Sequence, residues 1–170
     1  MVGTAPIDES ADHGRNDRET LIKWAAGFVD GEGCIQIVRA SGTRGLAEGT
    51  PIKRWYRLNI EVAQIVEKPL LILRDLFGGS VIYWGYKNLS TRPAYRWDIN
   101  ATKAKEALKE LLPYLIVKEE EARLAIEFRE YQEINMAGKG KPRSLPDGVL
   151  ARYEQYCMQM RKLHHRGSRD

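Results

Sequence analysis

Hydrophobic and polar positions recur along this chain with two different periods, and the switches between them mark out its elements. Leu21, Ile22, Ala25, Ala26, Phe28 and Val29 stand at helical spacing. Asn16 followed by Glu19 resembles a capping box, so this helix is expected to begin near Asn16, and Gly31 and Gly33 to end it. Cys34 to Arg39 predicts a strand. Ala40 to Lys53, rich in Gly, Thr and Ser, predicts a long hairpin loop. From Trp55 to Gln64 the period is two: Tyr56, Leu58, Ile60 and Val62 point one way, Arg57, Asn59 and Glu61 the other. Pro69 suits the start of a helix through Phe77, closed by Gly78-Gly79. The same grammar then repeats, with a strand over Ser80 to Tyr86, a loop over Lys87 to Pro93 and a strand over Tyr95 to Asn100. A helix over Thr102 to Leu112 is stopped by Pro113, and two more are expected, near Lys118 to Ile134 and Asp147 to His164.

This order predicts an α+β fold: an αββαββα core with a four-stranded antiparallel sheet, helices on one side, and two C-terminal helices. Met1 to Arg15 shows no period. The expected organisation is therefore a flexible N-terminal tail over 1–16, one domain over 17–164 and a basic C-terminal tail over 165–170. No run of roughly 18 apolar residues exists, so no membrane partner is expected. Asp8, Glu9 and Asp12 stand where a signal peptide needs an apolar stretch, which predicts an intracellular protein, whether in an organelle or in an archaeal or bacterial cytoplasm. Cys34 and Cys157 lie far apart and form no ligand cluster, in keeping with a reducing compartment. The net charge of +4 permits nucleic-acid binding without demanding it.

The polar side of the Trp55 to Gln64 strand carries groups able to read base edges, and a solvated face fits the alternation equally well. The first helix stands apart. Each mid-helix glycine costs roughly 1 kcal/mol against alanine, and what Gly27 and Gly31 offer in return is close approach by another helix. Asp30 and Glu32 lie at its C-terminal end, where the macrodipole disfavours carboxylates by roughly 0.3–1 kcal/mol each. Two such helices packed at their glycines would bring two copies of Glu32 together, and oxygen ligands with room for water suit Mg²⁺. A surface acid after an ordinary core helix accounts for the same residues. His164-His165 falls at the expected tail, and no metal role is assigned to it.

The run Ala25-Ala26-Gly27-Phe28-Val29-Asp30-Gly31-Glu32-Gly33 resembles the signature motif of the LAGLIDADG homing endonucleases, with Ala25 standing where the family usually has Leu. The element order, the Trp55 to Gln64 strand, the Gly78-Gly79 turn, Tyr95-Arg96-Trp97, and Leu112-Pro113-Tyr114-Leu115 followed by Lys118 extend the resemblance over roughly Leu21 to Leu163. The motif occurs once. The resemblance therefore implies a homodimer whose motif helices pack at a two-fold axis, through Ala26, Gly27, Asp30 and Gly31. It implies a site-specific double-strand DNA endonuclease on a long, near-palindromic target, its sheets forming a saddle in the major groove. It also implies Mg²⁺ as cofactor (with Mn²⁺ or Ca²⁺ able to substitute in binding), 3′ overhangs, and an intron-encoded origin with a role in intron homing. Within the same family, an intron RNA maturase with intron RNA as partner, or a non-cleaving DNA-binding protein, is the alternative.

Carried over residue by residue, the resemblance makes Glu32 the acidic metal ligand and Gly31 a backbone-carbonyl ligand. Gln64 would organise water, Lys118 would lie near the scissile phosphate, and Lys68 would be a further basic position. By pattern alone Gln64 lies on the apolar parity of its strand, where a glutamine can simply satisfy backbone groups, and both lysines fit solvated positions. For base contacts the alternation nominates Gln36, Arg57, Asn59 and Glu61, then Arg96 and Asp98, with Trp84 and Tyr86 sharing that face. Arg57 and Arg96 suit guanine, Asn59 adenine. Arg39 and Arg44 are candidates for outer bases or phosphates, and Lys139, Lys141 and Arg143 for phosphates, the last three equally fitting a solvated loop.

Overall fold

The computed structural model describes residues 9–42, 53–84, 94–136 and 146–165. Strands β1 (Gly33–Gly42) and β2 (Lys53–Gln64) pair antiparallel, as do β3 (Ser80–Trp84) and β4 (Ala94–Asn100). The two pairs join through β2 and β4, giving a four-stranded antiparallel sheet of order β1-β2-β4-β3. The helices are α1 (Glu9–Glu32), α2 (Lys68–Phe77), α3 (Ala101–Leu111), α4 (Glu119–Met136) and α5 (Asp147–His164), with a 3₁₀ turn at Leu112–Tyr114 where Pro113 ends α3. The fold is the α+β arrangement that the pattern predicts.

Register explains why one sheet face is core. Ile35 lies opposite Ile60, Ile60 opposite Ile99, and Val62 opposite Trp97, so their side chains emerge on the same side. All are buried, together with Ile37, Tyr56 and Leu58. Against them pack Ala25, Ala26 and Val29 of α1, Leu70 and Leu73 of α2, Leu108 of α3, Phe128 of α4 and Tyr153 of α5, in a single cluster. Each fully buried large apolar side chain contributes about 1.5–3 kcal/mol relative to exposure. Trp97 is enclosed outright, and its indole N–H donates to the Gly78 carbonyl at 2.8 Å. Gly78 and Gly79 adopt φ of +79° and +89° where α2 turns into β3. A Cβ at Gly79 would lie 2.5 Å from the Asp98 carbonyl oxygen, so glycine is required there.

Two boundaries differ from the pattern. Helix α1 begins at Glu9 rather than near Asn16. Once nucleated, a helix extends through polar residues without needing a buried face, and the capping-box spacing at Asn16 is overridden. Strand β1 continues through Ala40, Ser41 and Gly42, assigned to the loop by composition, because each finds a partner in Trp55, Arg54 or Lys53. Among the described residues no helix is long and apolar enough to cross a membrane.

Candidate functional site

Helix α1 runs directly into β1: Glu32 is the last helical residue and Gly33 the first of the strand. A Cβ on Gly33 would lie 2.6 Å from the Val29 carbonyl oxygen, so the tight exit needs glycine. Glu32 is exposed. Two residues earlier, the Asp30 carboxylate accepts three backbone N–H groups, from Ile116 at 2.7 Å, Val117 at 3.2 Å and Lys118 at 2.9 Å. In the opposite direction the Lys118 ammonium donates to the Asp30 backbone carbonyl. A cation there meets the negative end of the helix dipole. The clasp accounts for an acid at an unfavourable helix position: the three N–H groups offset the dipole.

The clasp brings Lys118 to the helix end that carries Glu32, although 86 positions separate them in the chain (118 − 32). Two placements bear on the α1 surface. The Asp30 carboxylate is engaged within its own chain, and Ala26, expected at the subunit contact, is instead wholly buried in its own core. Gly27 and Gly31 are exposed, and a Cβ on either would meet nothing within 4 Å among the described residues. Beside them Trp24, 38% exposed, stacks on Phe28 at 5.2 Å. The open side of α1 therefore includes Leu21, Trp24, Gly27 and Gly31.

Gln64 is half-buried at the end of β2. Val62 pairs with Gly33, so β2 overruns the start of β1 by Ala63 and Gln64, on the side where α1 ends. Lys68 is exposed at the first residue of α2. The nearby Cys34 thiol is raised above its usual pKa, by desolvation first and by Glu61 second, with Lys118 opposing. The oxygen donors at this helix end are the Glu32 carboxylate and backbone carbonyls of the last helical turn. Such hard donors fit Mg²⁺ or Ca²⁺. Among the described residues no group of three or more His, Cys, Asp or Glu gathers.

A cleft of about 550 Å³ opens beside Lys118, between Gly33 to Ile35, Ile116 to Glu121 and the end of α5. His164 lines it and lies 2.9 Å from the Ile35 carbonyl oxygen through Nε2. It therefore belongs to α5 and to the folded body, not to a tail.

The sheet face away from the core carries Gln36 of β1, Arg57, Asn59 and Glu61 of β2, and Arg96 and Asp98 of β4, with Trp84 in register opposite Ala94. Arg57 is exposed. Asn59 departs from the expectation of a base-contacting side chain. It is 1% exposed, and its amide nitrogen donates to Glu61 at 2.8 Å and to Asp98 at 3.1 Å. Its amide oxygen has no partner among the described residues, which costs about 1–3 kcal/mol. The Arg96 guanidinium lies 3.9 Å from the second Glu61 oxygen. Arg39 is a second correction. It shares the parity of Ile35 and Ile37 on the helical side of the sheet, where it pairs with Glu154 of α5 at 3.2 Å. Arg44, Tyr86, Lys139, Lys141 and Arg143 lie outside the described residues.

The family model described as LAGLIDADG endonuclease matches residues 25–134, well over half of the chain. Among solved structures, the homing endonuclease I-CvuI in complex with its target, in the presence of calcium, aligns at 23% identity. That match covers 91% of this chain and 88% of that one, with a TM-score of 0.64. The archaeal intron-encoded homing endonuclease I-Vdi141I complexed with DNA aligns at 15% identity over 92% and 89% of the two chains, also with a TM-score of 0.64. I-TnaI, a homing endonuclease, aligns at 20% identity over 85% and 93%, with a TM-score of 0.55. No match was found among curated protein sequences.

Proposed function

The chain belongs to the LAGLIDADG endonuclease family, and from that membership we propose that it is a metal-dependent, site-specific double-strand DNA endonuclease acting as a homodimer. The observation that carries the proposal is the clasp holding Lys118 on the helix end that bears Glu32. Binding alone needs neither a carboxylate nor an ammonium fixed at that point. The DNA held by I-CvuI and I-Vdi141I supports duplex DNA as the ligand.

Glu32, with the Gly31 carbonyl, would hold the divalent ion, Mg²⁺ in the working enzyme. When bound, that ion supplies water activation and charge stabilisation at the leaving oxygen. Lys118 stabilises charge on the phosphate from a position that the clasp fixes in advance, so little reorganisation is needed in the transition state. Gln64, at the β2 end, orients solvent. The open Gly27 and Gly31 support close packing of two α1 helices about a two-fold axis, which would bring the two Glu32 residues together and complete the ligand set. A near-palindromic target, short 3′ overhangs and an intron-encoded origin belong to the same proposal.

The test is a cleavage selection on palindromic and near-palindromic duplexes with Mg²⁺, with EDTA, and with Glu32→Gln. Discrete cuts are expected with Mg²⁺ alone, and the variant should bind the selected duplex without cutting. A Glu32→Gln protein that cuts at the wild-type rate refutes the mechanism.

A further inference from the structure

Resting on that DNA-endonuclease reading, we propose that Glu61 and Arg96 form a fixed acceptor–donor pair that reads one G·C base pair in the major groove, with the buried Asn59 as their positioning residue. Glu61 and Asp98 stand directly opposite each other on β2 and β4. Like charges so placed repel. Asn59 resolves this by spending its amide nitrogen on both, at 2.8 Å and 3.1 Å. At 1% exposure, with that nitrogen committed, Asn59 does not itself reach a base edge. Its amide oxygen has no partner among the described residues, so the side chain's hydrogen bonds there go to the two carboxylates above it.

That geometry is specific. One Glu61 oxygen is anchored by Asn59, while the other lies 3.9 Å from Arg96. Carboxylates on a surface that meets a polyanion are repelled by its phosphates, so the donors that DNA offers them are the amino groups of its bases. The major groove offers them two donors, the N4 amine of cytosine and the N6 amine of adenine. Arg96 beside Glu61 decides between these. Guanine presents O6 and N7 together, the doublet a guanidinium takes bidentately, and O6 lies next to the N4 amine of the paired cytosine. One G·C pair thus complements acceptor and donor at once. An A·T pair offers the N6 amine without the doublet: its acceptors, adenine N7 and thymine O4, stand apart on either side of that amine. Asp98 supplies a second acceptor for an amine on the adjoining pair.

The test is binding selection from a randomised duplex library in Ca²⁺, with the full wild-type chain, Glu61→Gln, Arg96→Ala and Asn59→Ala. The wild type is expected to require G·C at one position, mirrored in the two half-sites. Each variant should relax that position by roughly tenfold or more in discrimination, Glu61→Gln and Arg96→Ala leaving the other positions unchanged and Asn59→Ala relaxing the adjoining Asp98 position as well. Glu61→Gln, a surface change, keeps the test valid if Asn59→Ala fails to fold. A wild-type site whose G·C preference survives Glu61→Gln and Arg96→Ala overturns this inference and leaves the endonuclease reading standing. A wild-type protein that requires A·T at the position sensitive to these variants overturns the G·C assignment. A wild type that selects no sequence overturns both readings.

Discussion

Asp30→Ala isolates the clasp between α1 and the segment that leads into α4. The carboxylate accepts three backbone N–H groups, and hydrogen bonds to charged groups contribute about 1.5–3 kcal/mol each when nothing replaces them. Two of the three donors belong to Ile116 and Val117, which are 85% and 72% exposed, so water replaces their lost partner. The Lys118 N–H is part-buried and less readily resolvated. Removing an acid from a helix C-terminus returns roughly 0.3–1 kcal/mol. The net expectation is a loss of about 2 kcal/mol, or roughly 4–8 °C in Tm for a chain of this size. The functional effect should be larger than the stability effect, because Lys118 loses its fixed station beside α1. Misplacement by about 1 Å can cost a hundredfold in rate, so single-turnover cleavage at saturating enzyme should fall by about that factor with DNA affinity unchanged. Asp30→Asn, which keeps one acceptor oxygen, should fall between the wild type and the alanine variant in both assays. Thermal melting and single-turnover kinetics on the same preparations provide the check. An alanine variant that melts within about 1 °C of the wild type and cuts at the wild-type rate would refute the reasoning.

Gly27→Ala should stabilise the isolated protomer by up to roughly 1 kcal/mol through helix propensity, since its Cβ meets nothing, while weakening self-association; sedimentation at several concentrations separates the two effects. A variant dimer as tight as the wild type would rule out the glycine contact. Burial pushes the Cys157 thiol up to about 11, with Glu154 adding to the shift. The folded protein should therefore lose stability as pH rises from about 9, where the unfolded thiol ionises, toward 11, and show no contribution from this group below that window. At pH 8 a disulfide reagent should titrate exposed Cys34 in the native protein and buried Cys157 only after unfolding. Equal rates for both thiols would contradict the buried assignment.

The sheet was legible because its period is two and its core face is continuous: Tyr56, Leu58, Ile60 and Val62 announce both the strand and its orientation. Helix α5 occupies the span its flanking signals predict. Two corrections had a signal available. Ile22, Ala25, Ala26 and Val29 follow the i, i+3, i+4, i+7 spacing of a core face, which claims Ala26 for the interior. Counting Ile35, Ile37 and onward assigns Arg39 to the helical side of β1. Asn59 is different, because parity gives its face correctly while its burial depends on long neighbours from two strands. The Asp30 clasp had only half a signal. An acid at a helix C-terminus asks for a partner, but that partner lies 86 to 88 residues further along, and nothing local names it.

The absence of any linker between α1 and β1 has a mechanical consequence. Glu32 ends a helix fastened into the core and Gly33 begins a strand fastened into the sheet, so the joint between them has almost no compliance. The backbone from which this exposed carboxylate springs is thereby fixed, and only its own side-chain torsions remain to meet an ill-placed ligand. In the proposed complex much of the burden of fit then passes to the duplex, which must bend until its phosphates come within reach of two fixed backbone stations. Sequences that are cheap to distort between those points would be preferred even where no side chain touches them. The stiffness of one joint in the protein would thus be written into the target as a taste for flexible DNA.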